Sequence, residues 1–283
     1  MVAGPNGSGK TTLIHALRAS AEIALPGHYI NADDLQRERG LDDRGAQKLA
    51  ETLRLEALTQ GRSLLYETVM SHPSKIAELQ AAARAGYAIT VVFVATADPA
   101  VNIERVALRV ADGGHPVPKE RIRARHQRSL ALAPAAIAYA THAYVYDNTA
   151  WGADAAQQLQ AALAGARLAP LVPRPAAWVG TLIEQVNARA AELEALYRSA
   201  DARDALAVPD LYAGASDGPI LECGTYYALQ ADRLSGKRLV HDQALLARPV
   251  LARRRYRIEY VQGVSKIARH SSVRLSPVKQ ART

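Results

Sequence analysis

Along the first 150 residues, short apolar runs alternate with stretches whose apolar positions recur every three or four residues. The first pattern reads as buried strand and the second as amphipathic helix. Helices are expected at Thr11–Ser20 and in GAQKLAETLRLEALTQG (45–61), SKIAELQAAARAG (74–86), PAVNIERVALRVAD (99–112) and KERIRARHQRSLALA (119–133). Gly61, Gly86 and the Gly113–Gly114 pair stand where three of them should end. Strands are expected in HYINADD (28–34), SLLYETV (63–69), YAITVVFVAT (87–96) and HAYVYDN (142–148). The third of these has too few polar positions for a sheet with one wet face, so both faces should be covered. Strand alternating with helix predicts an α/β fold, a parallel sheet of about five strands with helices on both sides.

The pattern changes at LAPLVPRPAAW (168–178), where Pro170, Pro173 and Pro175 predict a linker. VGTLIEQVNARAAELEALYRSA (179–200) then reads as an amphipathic helix. Beyond it, GPILECGTYYALQ, KRLVHDQALLA and RRYRIEYVQG read as short strands of a small antiparallel, α+β module within 201–270, and 271–283 as a disordered tail. The domain plan is therefore a first domain over 1–167, the linker, the helix at 179–200, the module and the tail. In the module, Gln230 and His241 are read as structural.

Charge adds one point. From Ala231 onward there are 13 Lys or Arg against 3 Asp or Glu, a net +10, while the residues before carry 22 against 24. The segment 231–283 is thus a candidate for binding an anion such as nucleic acid. The single cysteine, Cys223, excludes a disulfide framework within the chain and fits a reducing, cytoplasmic setting. No run of 18 uncharged apolar residues is present, so no membrane span is expected.

The chemistry begins at MVAGPNGSGKTT (1–12). Gly4, Gly9, Lys10 and Thr11 fit the phosphate-loop pattern G-x-x-x-x-G-K-[ST], in which backbone amides surround phosphate oxygens at a helix start. The nucleotide-binding residues are then Gly4, Pro5, Asn6, Gly7, Ser8, Gly9, Lys10, Thr11 and Thr12. Lys10 reaches the β and γ phosphates and Thr11 holds Mg²⁺. With the phosphate loop at the N-terminus no signal peptide is expected, and with three residues ahead of it the first strand is expected to be truncated at the start. The strand VVFVAT lacks a terminal Asp. Carboxylates stand instead at Asp33, Asp34 and Glu67, expected at strand ends facing the loop, with one of the two aspartates capping the next helix. Arg105 and Arg109, and Arg121 and Arg125, lie four apart on two helices joined by ADGGHPVP, as in a lid over a nucleotide.

Six stretches in order, AGPNGSGKTTL, YINADDL, LLYETVMS, AGYAITVVFV, RVALRVADGGHPVPKERIRARHQRSL and YVYDN, resemble the zeta-toxin family of P-loop kinases, in the compact form found on bacterial chromosomes and plasmids. The resemblance implies an ATP- or GTP-dependent kinase, using Mg²⁺, that phosphorylates a hydroxyl of a small molecule such as UDP-N-acetylglucosamine. It implies Asp33 as base, Lys10 with Arg105 or Arg109 at the transferring phosphate, and Glu67 with Thr68 at the acceptor. Arg121 or Arg125 completes the lid. It also raises an antitoxin as a partner, while the linker and the uneven charge raise intramolecular inhibition by the C-terminal module. The segments INADDLQRERG and ETVMSHP depart from the better-studied toxins, which leaves the acceptor open. The module is faintly similar to a small domain of plasmid-associated proteins. The competing readings are a kinase of nucleic-acid ends docked by the basic segment, and a nucleotide-dependent interaction protein of plasmid maintenance.

Overall fold

The computed structural model describes residues 1–20, 25–150, 156–200 and 206–269. The chain divides into two compact units, with the boundary between Ala191 and Glu192.

The first unit contains β1 (Val2–Ala3), α1 (Lys10–Ser20), β2 (Tyr29–Ile30), α2 (Ala32–Arg39), α3 (Asp43–Thr59), β3 (Leu65–Thr68), α4 (Ser74–Arg84), β4 (Thr90–Ala95), α5 (Pro99–Ala111), α6 (Lys119–Ile137), β5 (His142–Asp147), β6 (Gln158–Ala164) and β7 (Arg167–Pro170). Their sheet has the order β2-β3-β1-β4-β5-β6-β7. The first five strands are parallel, and β6 and β7 continue antiparallel. The first strand, the two-residue β1, lies between β3 and β4. Val2 faces Glu67 on one side and Val92 on the other. The loop after it therefore opens at the carboxyl ends of the parallel strands, where ligands of open α/β sheets bind.

Val2, Leu13, Ile14, Leu65, Val92 and Val94 form a buried cluster that fixes α1 on the sheet. As expected, β4 is covered on both faces, since Val91 to Ala95 are all buried. Phe93 meets the edge of Trp178 with ring centroids 6.1 Å apart.

Several elements depart from the sequence reading. HYINADD is a strand for two residues only. Asn31 then caps α2, its side chain accepting from the Asp33 amide at 2.9 Å. Neither aspartate is the cap, and both lie in the first turn of a helix rather than at a strand end. The α6 helix continues past Pro134 to Ile137, because Leu132 to Ile137 are all buried and their packing outweighs the lost N–H. The start of the expected linker is strand β7, which pairs with β6 from Ala161↔Pro170 to Ala164↔Arg167. Pro170 sits at the last position of an edge strand, where no ladder N–H is required.

Helix α7 (Ala177–Ser199) carries the chain into the second unit. There β8 (Leu206–Ala207), β9 (Ala215–Cys223), β10 (Tyr227–Ala231), β11 (Arg238–Asp242), β12 (Arg255–Val261) and β13 (Val264–Arg269) form a sheet of order β13-β12-β9-β10-β11-β8. It is antiparallel except for β8 on β11. Leu196 packs on Tyr227, Leu229 and Val240. The Glu192 carboxylate accepts from the amides of Thr225, Tyr226 and Tyr227 at 2.8–3.1 Å. Gln230 and His241 are fully buried in one network, in keeping with a structural role. Gln230 Nε2 donates to the carbonyls of Gly218 and Tyr256, so its Oε1 accepts from His241 Nε2 at 2.9 Å. His241 Nδ1 is then left to accept from the Tyr260 hydroxyl at 2.9 Å. The expected tail at 271–283 lies outside the described residues.

Candidate active site

The loop between β1 and α1 is shaped by three glycines at positive φ, Gly4 at 153°, Gly7 at 73° and Gly9 at 90°. A Cβ on Gly4 would run into the Val94 carbonyl. Helix α1 starts at Lys10, so its unpaired first-turn amides and the positive end of its dipole face the loop. Lys10 Nζ donates to the carbonyls of Gly4 and Pro5, both at 2.9 Å. Burial lowers the Lys10 pKa to about 8; Glu67 and Asp33 pull it up, and Arg109 and Arg125 push it down. Two carboxylates and two guanidiniums thus act on one ammonium at the loop.

Glu67 holds the centre of a polar cluster at the end of β3. Thr11 donates its hydroxyl to Glu67 Oε2 at 3.0 Å. The Tyr29 hydroxyl donates to Oε1, and Asn31 Nδ2 donates to the same oxygen at 3.2 Å and to the Tyr29 hydroxyl oxygen at 2.9 Å. Burial, then the adjacent Glu67, raises the Tyr29 pKa, so the phenol stays a donor. Arg18 lies over the Tyr29 ring, 4.7 Å from its centroid. Asp33 is exposed, while Asp34 is ion-paired with Arg37. The Thr68 hydroxyl accepts from the Met70 amide at 3.1 Å and its carbonyl from the Gly4 amide at 3.2 Å. Thr68 therefore shapes the backbone where β3 meets the loop.

The arginines separate into two groups. Arg125 Nη1 donates to Asn6 Oδ1 at 3.2 Å, and Arg128 Nε to the Ser71 carbonyl at 3.2 Å. With the exposed Arg121 they form one row on α6 at spacings of four and three, running from the phosphate loop to the exit of β3. Arg109 donates to the His115 carbonyl at 3.2 Å. Arg105 is held elsewhere, donating to the carbonyls of Asn148 and Ala150, both at 2.8 Å. The spacing of four put Arg105 and Arg109 on one face, but the strand exit beside Arg105 captures its guanidinium.

Sequence reasoning passed over Tyr29 and Asn31, which hold Glu67, and Asn102, Asn148 and Gln157, whose amides contact the loop. Asn148 closes the stretch YVYDN, which is its one signal in the sequence; Gln157 has no local signal.

The glycine cradle fits a polyphosphate, since each glycine takes a backbone angle that side chains resist and the loop leads into the amide-rich start of α1, which attracts an anion. The Thr11 hydroxyl and Glu67 carboxylate, bonded to each other at its mouth, are hard oxygen donors of the kind Mg²⁺ takes. A family profile described as zeta toxin matches residues 1–150. The chain belongs to the zeta toxin family. No curated protein matches it. Solved structures with similarity to this zeta toxin family member include AvrRxo1-ORF1:-ORF2 with ATP, at 15% identity over 60% of this chain and 59% of that one, TM-score 0.46. The native AvrRxo1-ORF1:-ORF2 complex aligns at 15% identity over 70% and 73%, TM-score 0.45. The PezAT chromosomal toxin-antitoxin system of Streptococcus pneumoniae aligns at 15% over 70% and 87%, TM-score 0.37. The chain thus spans less than two thirds of the first of these. Among the described residues, no helix is long and apolar enough to cross a membrane.

Proposed function

We propose that the protein transfers the γ-phosphate of ATP or GTP to a hydroxyl of an anionic small molecule, a UDP-sugar such as UDP-N-acetylglucosamine being the first candidate. The observation that carries this reading is the phosphate loop with what lines it: glycines at positive φ, Lys10 on the Gly4 and Pro5 carbonyls at 2.9 Å, Arg125 bonded to Asn6 at 3.2 Å and the Glu67 carboxylate bonded to Thr11 at 3.0 Å. Phosphoryl transfer to an alcohol needs such a set: cations for the spread charge of the transferring group and a carboxylate for the proton.

In this scheme the backbone amides of Gly7, Gly9, Lys10, Thr11 and Thr12 hold the nucleotide's phosphates, while the Gly4 amide is taken by the Thr68 carbonyl and Pro5 has no N–H to give. Thr11, with Glu67 behind it, would hold Mg²⁺, which would supply positive charge to the nucleotide's phosphates. Asp33 takes the proton of the acceptor hydroxyl as its oxygen bonds to the γ-phosphorus, and the bond from that phosphorus to the bridging oxygen breaks to release the nucleoside diphosphate. Lys10, Arg109 and Arg125 stabilise the charge in flight. The row Arg121, Arg125, Arg128 supports an acceptor that itself bears phosphate. An antitoxin, or the C-terminal unit, would act as a restraint on this activity.

Nucleic-acid ends are the less supported acceptor. In the basic segment, Arg255 is bonded to Asp217 at 2.5 Å and Arg257 to Glu259 at 2.7 Å, so part of its positive charge is already neutralised.

The test is ³¹P spectroscopy of the protein with Mg²⁺, ATP and a panel of UDP-sugars, free sugars and oligonucleotides. A new phosphomonoester on a UDP-sugar with matching ADP release supports the reading. Phosphorylation confined to oligonucleotide ends, or ATP hydrolysis without transfer to any acceptor, refutes it.

A further inference from the structure

The phosphate loop is held from outside by three side-chain carboxamides. Asn102 Nδ2, from α5, donates to the Asn6 carbonyl at 2.6 Å. Asn148 Nδ2, directly after β5, donates to the Ser8 carbonyl at 2.8 Å. Gln157 Nε2, directly before β6, donates to the Gly9 carbonyl at 2.8 Å. In a trans peptide the C=O and N–H of one unit point in opposite directions, and the structure contains no cis peptide bond among the described residues. With these three carbonyls held outward, that of Gly9 shared by Gln157 and the Leu13 amide at 2.9 Å, the amides of Gly7, Gly9 and Lys10 face inward, to the side a phosphate would occupy.

We infer that Asn102, Asn148 and Gln157 form a latch that sets the direction of the phosphate-binding amides before nucleotide arrives, an inference that rests on the nucleotide site proposed above. Gly9 carries independent support, because a Cβ there would strike the amide nitrogens of both Asn148 and Gln157. The latch is braced from behind. Asn102 is fully buried and accepts through Oδ1 from the Thr96 hydroxyl, while His126 Nε2 donates to the Thr96 carbonyl at 2.9 Å. The Asn148 amide donates to the Ala95 carbonyl at 2.8 Å, and its own carbonyl accepts from Arg105. Arg105, expected at the transferring phosphate, thus acts through Asn148 as a positioning residue. Preset donors cost no reorganisation when an anion binds, which is how such sites gain affinity.

The full chain and its Gln157→Leu and Asn148→Leu variants would be titrated calorimetrically with inorganic triphosphate, ATP and adenosine, and their melting temperatures compared. Gln157 is partly exposed, so its variant keeps the core intact. Each variant should bind triphosphate and ATP about 3- to 10-fold more weakly, the worth of one neutral hydrogen bond, with adenosine affinity and the Gln157→Leu melting temperature unchanged. Unchanged triphosphate affinity in both variants, while the parent binds, overturns the latch and leaves the proposed function standing. Equal losses for adenosine and triphosphate, or a loss that follows the melting temperature alone, assign these residues to folding and also overturn it. A parent chain that binds no triphosphate removes the proposed function and the latch with it.

Discussion

The Thr11 hydroxyl donates to Glu67 Oε2 at 3.0 Å, joining the first turn of α1 to the end of the neighbouring strand β3. Because β3 pairs directly with β1, Glu67 stands beside the phosphate loop in the strand next to it. The acid missing from the end of VVFVAT in β4 is thus supplied from β3, on the other side of β1. Replacing Glu67 by Gln should lower Mg²⁺-dependent nucleotide affinity by about 10- to 100-fold, the usual effect of losing a group that orients a metal ligand. Affinity measured with EDTA present should change little. Calorimetry with and without the metal separates the two outcomes.

Asn31 links folding to the same site. Its side chain caps α2 and its amide also reaches Glu67. Asn31→Ala should cost about 1 kcal/mol of stability through the cap. It should also weaken nucleotide binding with Mg²⁺, which a cap alone would not do. Urea unfolding and nucleotide titration together test this.

Lys10 sets a pH dependence. In the free protein burial holds its pKa at about 8. Phosphates favour the charged ammonium, so nucleotide binding raises that pKa and protons are taken up on binding above about pH 8. Affinity should fall as pH rises through 8, while below about pH 7 uptake disappears because Lys10 is already charged in both states. Heats of binding in buffers of different ionisation enthalpy, measured at several pH values, would show this.

His241 sets a second, unrelated dependence. Burial lowers its pKa to about 4, with Asp232 acting the other way, from the ordinary 6.5. The unfolded chain therefore takes up the proton first as pH falls. The stability of the second unit is complete above about pH 6.5 and lost progressively down to about pH 4, by an amount on the order of 3 kcal/mol. His241→Phe should flatten that slope, although it leaves Gln230 Oε1 and the Tyr260 hydroxyl without this partner and so lowers stability at neutral pH. Denaturant unfolding from pH 7 to pH 4 measures both.

Much of this was legible in the chain. The phosphate loop, the parallel strands and their helices follow from period and from glycine positions, because burial on both faces leaves an unbroken apolar run such as TVVFVA in β4. Other features depend on tertiary pairing. The run QLQAALA of β6 is built of good helix formers and becomes a strand because β5 and β7 flank it. HYINADD read as one strand because its cap, Asn31, is also a common turn residue. The spacing of Arg105 and Arg109 fixed their shared helix, but what each guanidinium meets was set by the exit of β5, far away in sequence. Gln157 contacts Gly9 across most of the first unit, a separation no local pattern encodes.

The central claim is that Asp33 takes a proton from an acceptor hydroxyl while Lys10 and the arginines hold the phosphoryl group. It is tested most directly by incubating the parent chain and Asp33→Ala with γ-labelled ATP, Mg²⁺ and a bacterial small-molecule extract. The account predicts a labelled metabolite with the parent and a rate about 10²- to 10⁴-fold lower with Asp33→Ala, at unchanged ATP affinity. Asp34→Ala, which removes only the exposed ion pair with Arg37, should behave as the parent. Transfer by Asp33→Ala at the parent rate, or no labelled metabolite with the parent, would contradict it.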